Sequence, residues 1–187
     1  DVISVSGIAD MTMTDLQKAS TGKNISLSPS INANTESIEG GTTVKDLETL
    51  LQLNYLYFTA PRRDENAYAM LMSVLESQLA NRDKNPKVAF SDSVSMMANN
   101  YSPRTVIFNQ EALTHADLDK SLEIYKARFA NPADFIFTFV GNVNPDDEAF
   151  QQLVCTWLGS LKTSKKKEAV RDNGDRVPDG INKNYFS

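Results

Sequence analysis

"DFIFTFVGNVNPDDEAF", residues 134–150, joins an apolar run to a Gly-Asn break, a proline and three acids. The run reads as a β-strand, the break as a tight turn, and the acids as the first turn of a helix. Strand, turn and helix N-terminus together also form an arrangement that holds phosphate. Charge decides against that use. Asn144 is placed as N-cap and Pro145 at the first helical position. Asp146, Asp147 and Glu148 then fill the first turn, where they complement the helix dipole and would repel an anion. The turn holds a single glycine, Gly141, and "TGKN" around Gly22 lacks the spacing and the Ser/Thr of a P-loop. The helix that follows carries Phe150, Leu153, Val154, Trp157, Leu158 and Leu161 on one stripe, the cleanest amphipathic pattern in the chain. "FIFTFV" itself is apolar on both faces, so it needs a sheet neighbour and a helical cover.

Working outward from this stretch, "TDLQKASTG" reads as a short helix with Thr14 as N-cap and Gly22 just past its end. "NISLSPSINA" alternates Ile25, Leu27, Pro29, Ile31 and Ala33 as a half-buried strand, with an edge or a bulge at Pro29, which has no N–H to give a ladder. Asn34 supplies a turn and "TESIEGGT" returns as a second strand. A helix then opens at the capping-box-like "TVKD", Thr43–Asp46, and inserts Leu47, Leu50, Leu51, Asn54, Tyr57 and Phe58. It stops at Pro61. Tyr68, Leu71, Met72, Leu75 and Leu79 mark the next helix, and Phe90, Val94, Met97 and Tyr101 a third. "THAD", Thr114–Asp117, is read as the start of a helix that turns Leu118, Leu122, Tyr125 and Phe129 inward. The tail "RDNGDRVPDGINKNYFS" has no periodicity and reads as an extended connector.

A chain of 187 residues, 41% apolar and 23% charged, makes one domain, or one and part of another. The net charge of −5 argues against nonspecific nucleic-acid binding, which needs clustered Lys and Arg. The basic run Lys162–Lys167 follows a helix and reads as a solvated linker. No apolar stretch approaches the ~20 residues of a membrane-spanning helix. "DVISVSGIAD" has no basic start to a signal peptide and opens in mid-pattern, as though cut from a longer chain, which leaves the compartment open. Cys155 is the only cysteine, so no internal disulfide forms; on the apolar helix it reads as a small core residue.

Chemistry is sparse. A zinc site needs about three protein ligands, and the chain offers one histidine, His115, beside that one cysteine. His115 lies in a helix-start motif and reads as a surface or capping residue. "RDNGD", ending at Asp175, lacks the length and the closing glutamate of a calcium loop. A Ser/His/Asp set cannot be built around one unsupported histidine. Read from its residues, the chain holds no catalytic, cofactor-binding or metal site of its own.

Taken in order, three stretches carry a resemblance: "SGIADMTMTDLQKASTGKNISLSPSINANTESIEGGTTVKDLETLLQLNYLYFTAPRRDENAY", "YKARFANPADFIFTFVGNVNPDDEAFQQLVCTWLGSL" and the lead into "DRVPDG". Over about residues 5–180 the chain resembles the pitrilysin/insulinase-type zinc metallopeptidases, the inverzincins. The resemblance implies a clamshell of homologous α+β repeats, each with a β-α-β-β-α-α core. One half carries H-x-x-E-H and a third zinc ligand on a later helix; the facing half is metal-free and helps form the substrate chamber. This sequence has no H-x-x-E-H. The two glutamates, seven apart, that a catalytic repeat carries on a later helix would fall near Leu71 and Gln78. Glu76 stands two residues from the later position, and no acid pair of that spacing exists there.

The resemblance therefore implies a segment of the metal-free half. The fold class it implies is α+β and two-layered: a small, mostly antiparallel or mixed sheet covered by helices, as in the LuxS/mitochondrial-processing-peptidase-like metallohydrolases, in a partial or permuted repeat. Residues 1–130 would be the trailing part of one repeat, and 131–187 the leading strand-helix of the next with a connector. No catalytic, cofactor or metal residue is expected in this chain; zinc is expected in the catalytic half of the same polypeptide, which with a peptide substrate would be its partner. The same fold without zinc also serves as a scaffold, which is the alternative. The β-β-α-α of one repeat, about Asn24–Ala80, plus the β-α of the next, Asp134–Leu161, make one permuted set. Phe135–Val140 is thus expected to join or abut the sheet of Ile25–Ala33, within the chain or swapped in a homodimer, with Gly141 serving the turn.

Overall fold

The computed structural model describes residues 2–82, 84–165, 167–183 and 185. In chain order these form α1 (Ile3–Ser6), α2 (Met13–Ala19), β1 (Ile25–Ile31), β2 (Glu36–Thr42) and α3 (Leu47–Thr59). Then come α4 (Glu65–Arg82), α5 (Pro86–Ala98), α6 (Gln110–Thr114), α7 (Leu118–Arg128) and α8 (Glu148–Trp157). Short 3-10 turns at Val44–Asp46 and Pro132–Asp134 lead into α3 and out of α7. The fold is α+β: among the described residues, eight α-helices and a two-stranded antiparallel sheet. The chain divides into two compact units, residues 1–68 with 117–168, and residues 69–116 with 169–187.

The first unit is built round Ile3, Ile8, Leu16, Tyr57, Leu122, Tyr125 and Phe129, all buried. Ile3, Leu16, Tyr57, Leu122 and Tyr125 come from α1, α2, α3 and α7, Phe129 from the residue after α7, and Ile8 from the stretch between α1 and α2; for Tyr57, Leu122, Tyr125 and Phe129 the helical spacing is what the sequence shows. Tyr125 stacks on Phe129 at 4.4 Å between ring centroids, and Phe58 meets Phe129 edge-on at 5.5 Å. The strands lie against α3. Ile25, Leu27 and Pro29 face inward, and Asp46 ties the start of β1 to the start of α3: its Oδ2 accepts from the Asn24 amide at 3.2 Å and from Thr43 Oγ1 at 3.0 Å. The α8 stripe packs on α3, with Tyr55 and Trp157 edge-to-face at 5.9 Å.

In the second unit Leu79 of α4 and Leu113 of α6 are buried, and Arg82 pairs with Asp92 of α5 at 2.6 Å. The stripe expected to bury α5 does not do so: Phe90 and Tyr101 are more than half exposed. Residues 169–182 run without regular structure, as the connector reading expected, and are held at Asp175 by Ser102 at 3.1 Å. In the first unit residues 162–165 and 167 are likewise irregular and exposed, as a solvated linker requires, and Lys166 lies outside the described residues.

Several local expectations are corrected. The N-cap of helix α2 lies two residues earlier than expected, on Thr12, whose hydroxyl accepts from the Asp15 amide in a full capping box. Thr114 ends α6, and Asp117 caps α7 by accepting from the Lys120 amide at 2.6 Å. His115 consequently closes a helix where the sequence reading had it open one. Asp147 caps α8, while Asn144 caps the turn before it through its Oδ1 and the Asp146 amide. Cys155 is exposed: it stands one residue on from Val154, beyond the edge of the apolar stripe. Phe135–Val140 carries no ladder with either strand. It is extended, its Phe135 and Phe139 turned to the aromatic core and its Ile136 and Val140 over 90% exposed. The helical cover is present; the sheet neighbour is not.

Candidate functional site

The register of the hairpin decides which backbone groups face outward. Asn32 donates its amide to the Thr35 carbonyl at 2.8 Å, so these two form a hydrogen-bonded pair closing the turn. Counting back along the ladder, pairing alternates. Ser30–Ser37, Ser28–Glu39 and Ser26–Gly41 are hydrogen-bonded pairs, and Ile31–Glu36, Pro29–Ile38, Leu27–Gly40 and Ile25–Thr42 are not. Pro29 falls where no ladder bond is needed, which is why a proline is accommodated inside β1. The amides and carbonyls of Glu36, Ile38, Gly40 and Thr42 therefore point away from β1. Among the described residues none of them meets a backbone partner on that side.

That edge forms one wall of an open slot of about 610 Å³ within the first unit. The opposite wall is the extended stretch 134–143, and Leu47, Leu50, Leu51, Asn54 and Phe58 of α3 line its floor. The Thr42 hydroxyl, which stands in the β2 wall, is buried with no hydrogen-bond partner among the described residues. Four charged residues mark one end. Arg128 pairs with Glu36 at 3.4 Å and with Glu168 at 3.9 Å, and the Glu168 amide donates to Asp134 Oδ1 at 2.9 Å. Two carboxylates thus face one guanidinium, and a third, Asp134, joins them through the Glu168 amide. Because Glu36 begins β2 and Asp134 begins the opposite stretch, the two walls run in the same direction.

The slot offers apolar surface, backbone hydrogen bonds and an acidic end. Among the described residues no three of His, Cys, Asp and Glu come together as a metal site. His115 and Cys155 belong to different helices, α6 and α8. The residues present do not fit the zinc that the resemblance implies for a catalytic half. Sequence reasoning missed the slot and its charged end, because residues 36, 128, 134 and 168 are far apart in the chain. The outward parity of β2 was signalled by Pro29 and the Asn34 turn. No helix is long and apolar enough to cross a membrane among the described residues.

No family model and no curated protein matches the chain. Solved structures do. The periplasmic protease PqqL from Escherichia coli superposes with a TM-score of 0.74 over 92% of this chain and 19% of its own length, at 22% identity. A variant of the ferredoxin protease FusC, in complex with Arabidopsis ferredoxin, gives 0.67 over 93% and 19%, at 17% identity. A protease from Helicobacter pylori gives 0.68 over 94% and 42%, at 14% identity. The chain spans about a fifth of the first two and two fifths of the third. At these identities the likeness is one of fold: the chain folds like a segment of each of these three proteins.

Proposed function

We propose that this chain is a non-catalytic segment of a zinc metalloendopeptidase and forms wall of the chamber that faces the catalytic half. The observation that carries the reading is the fold likeness to three proteases over more than nine tenths of the chain. The donor set supports the non-catalytic part of it, since a polarised water or an activated nucleophile cannot be assembled from scattered donors. On this reading zinc and the general base belong to the partner half, and residues 1–130 and 131–187 fall in successive repeats. The chain's own work is to present the α3 floor and the open β2 edge as shaped, uncharged surface beside an acidic rim. Substrate would be held there by shape and main-chain contacts, with bond cleavage supplied from the other half.

Mixing purified chain with the separately produced H-x-x-E-H half, and assaying cleavage of an unstructured peptide, tests this. The chain alone is expected to be inert, and its addition to raise turnover by the catalytic half at least tenfold. A catalytic half that works equally well without it would replace this reading by the zinc-free scaffold. Chelator-resistant turnover by the chain alone would refute both.

A further inference from the structure

From the connector of the second unit, and independently of the protease reading, we propose that Asn173–Gly174 is a self-modifying site. The Gly174 nitrogen closes on the Asn173 side chain, a clasp between Asp172 and Arg176 sets the pace, and the product releases the connector from Ser102.

The sequence supplies the reactants. Asn173 is the only asparagine in the chain that is followed by glycine. With no Cβ on Gly174, nothing crowds the approach of its nitrogen to the side-chain carbonyl carbon of Asn173. Both residues are exposed and outside any helix or strand, so no regular hydrogen-bond ladder holds the backbone against ring closure. Gly174 has a φ of +75°, with open space where a Cβ would stand. The step balances with water as the only co-reactant. The Gly174 nitrogen loses its proton and bonds to the Asn173 carbonyl carbon, and the side-chain nitrogen leaves as ammonia. Water then opens the five-membered imide at either carbonyl, giving aspartate or its β-linked isomer.

The neighbouring residues decide the rate. Asp172 Oδ1 accepts from the Gly174 amide at 2.9 Å, and Arg176 donates to both Asp172 oxygens, at 2.9 and 2.5 Å. The attacking nitrogen must therefore leave a carboxylate and lose its proton beside a negative charge. Arg176 and Gly174 hold the Asp172 carboxyl below the usual carboxylate range, which makes it a poor base for that proton. The clasp is a brake. Further along, Asp175 accepts from Ser102 Oγ at 3.1 Å and pairs with Arg104 at 3.6 Å, fastening the connector to the turn after α5. Either product adds a negative charge between Asp172 and Asp175. The β-linked one also adds a carbon to the main chain inside the clasp, so the spacing from Asp172 to Arg176 and the reach of Asp175 to Ser102 are both lost.

The test incubates the full 187-residue chain at neutral pH, folded and in guanidinium chloride. Peptide mass spectrometry follows conversion of amide to acid at each asparagine. In the folded chain conversion is expected first at Asn173. Gly174→Ala should slow it about tenfold, through the added Cβ. Asp172→Ala should speed it roughly three- to tenfold, the worth of one hydrogen bond, towards the rate in denaturant. The converted chain, separated by its added charge, should be cut by trypsin after Arg176 faster than the parent. Earlier conversion elsewhere, or a Gly174→Ala chain that converts equally fast, would overturn the proposal. So would an Asp172→Ala chain no faster than the parent, or equal cleavage after Arg176, which would mean that the connector stays in place.

Discussion

Tyr125 donates its hydroxyl to the Tyr57 carbonyl at 3.1 Å, is 1% exposed, and has its ring against Phe129. Burial holds its phenol well above the ordinary value of 10.0, with Tyr57 beside it adding to the effect, and burial raises Tyr57 likewise. The sign follows: an unfolded phenol ionises near its ordinary value while the folded one stays neutral. The stability is therefore full below that pH and is lost as pH rises through and beyond it. Tyr125→Phe keeps the stacked ring and removes one hydrogen bond, for an expected loss of about 0.5–1.5 kcal/mol at pH 7. It should also flatten the alkaline decline. Urea unfolding at neutral pH and above pH 10 checks both; an alkaline limb unchanged in the variant would show that another group governs it.

At the scale of the element, the two glycines of β2 should respond differently to the same change. A Cβ on Gly40 would sit 2.4 Å from the Ser26 carbonyl oxygen and 2.6 Å from Leu27 Cδ1, so the hairpin would have to shift. One on Gly41 would meet only Ser26 Oγ, at 3.6 Å. Gly40→Ala is expected to cost about 1–3 kcal/mol, as overpacking does. Gly41→Ala should be neutral or slightly stabilising through the unfolded state. Thermal unfolding of the pair decides, and equal effects would mean that the β1–β2 contact is looser than these distances. The inward stripes of α3, α7 and α8 and the hairpin itself were legible in the sequence, since periodicity reports directly which face is apolar. Helix starts were less legible. Thr12, Thr14 and Asp15, or Thr114 and Asp117, or Asn144 and Asp147, can each cap locally, and packing chooses among them. Periodicity also cannot say what covers a face: α5 keeps its stripe exposed, and Phe135–Val140 has strand alternation without a strand beside it. The charged end of the slot joins four residues from distant parts of the chain, and no local pattern announces that.

For the whole molecule, a fold built of two units with an irregular basic run in one of them predicts where the chain is first cut. Lys162, Lys165 and Lys167 are exposed and outside any helix or strand, and Arg171 likewise. Arg82 closes a helix and is held by Asp92 at 2.6 Å. Brief trypsin treatment should nick residues 162–171 well before Arg82; mass spectrometry of the first fragments shows the order, and early cleavage at Arg82 would mean that α4 frays. The hairpin has a further consequence for the molecule in a crowded solution. The parity that leaves the β2 edge open places Pro29 at a position whose missing amide would have faced the other way, on the outer side of β1. Growth of this sheet is thus one-sided. A strand that adds to β2 finds no second docking edge of equal quality across the hairpin, so stacking terminates at a capped particle and does not propagate into a fibre.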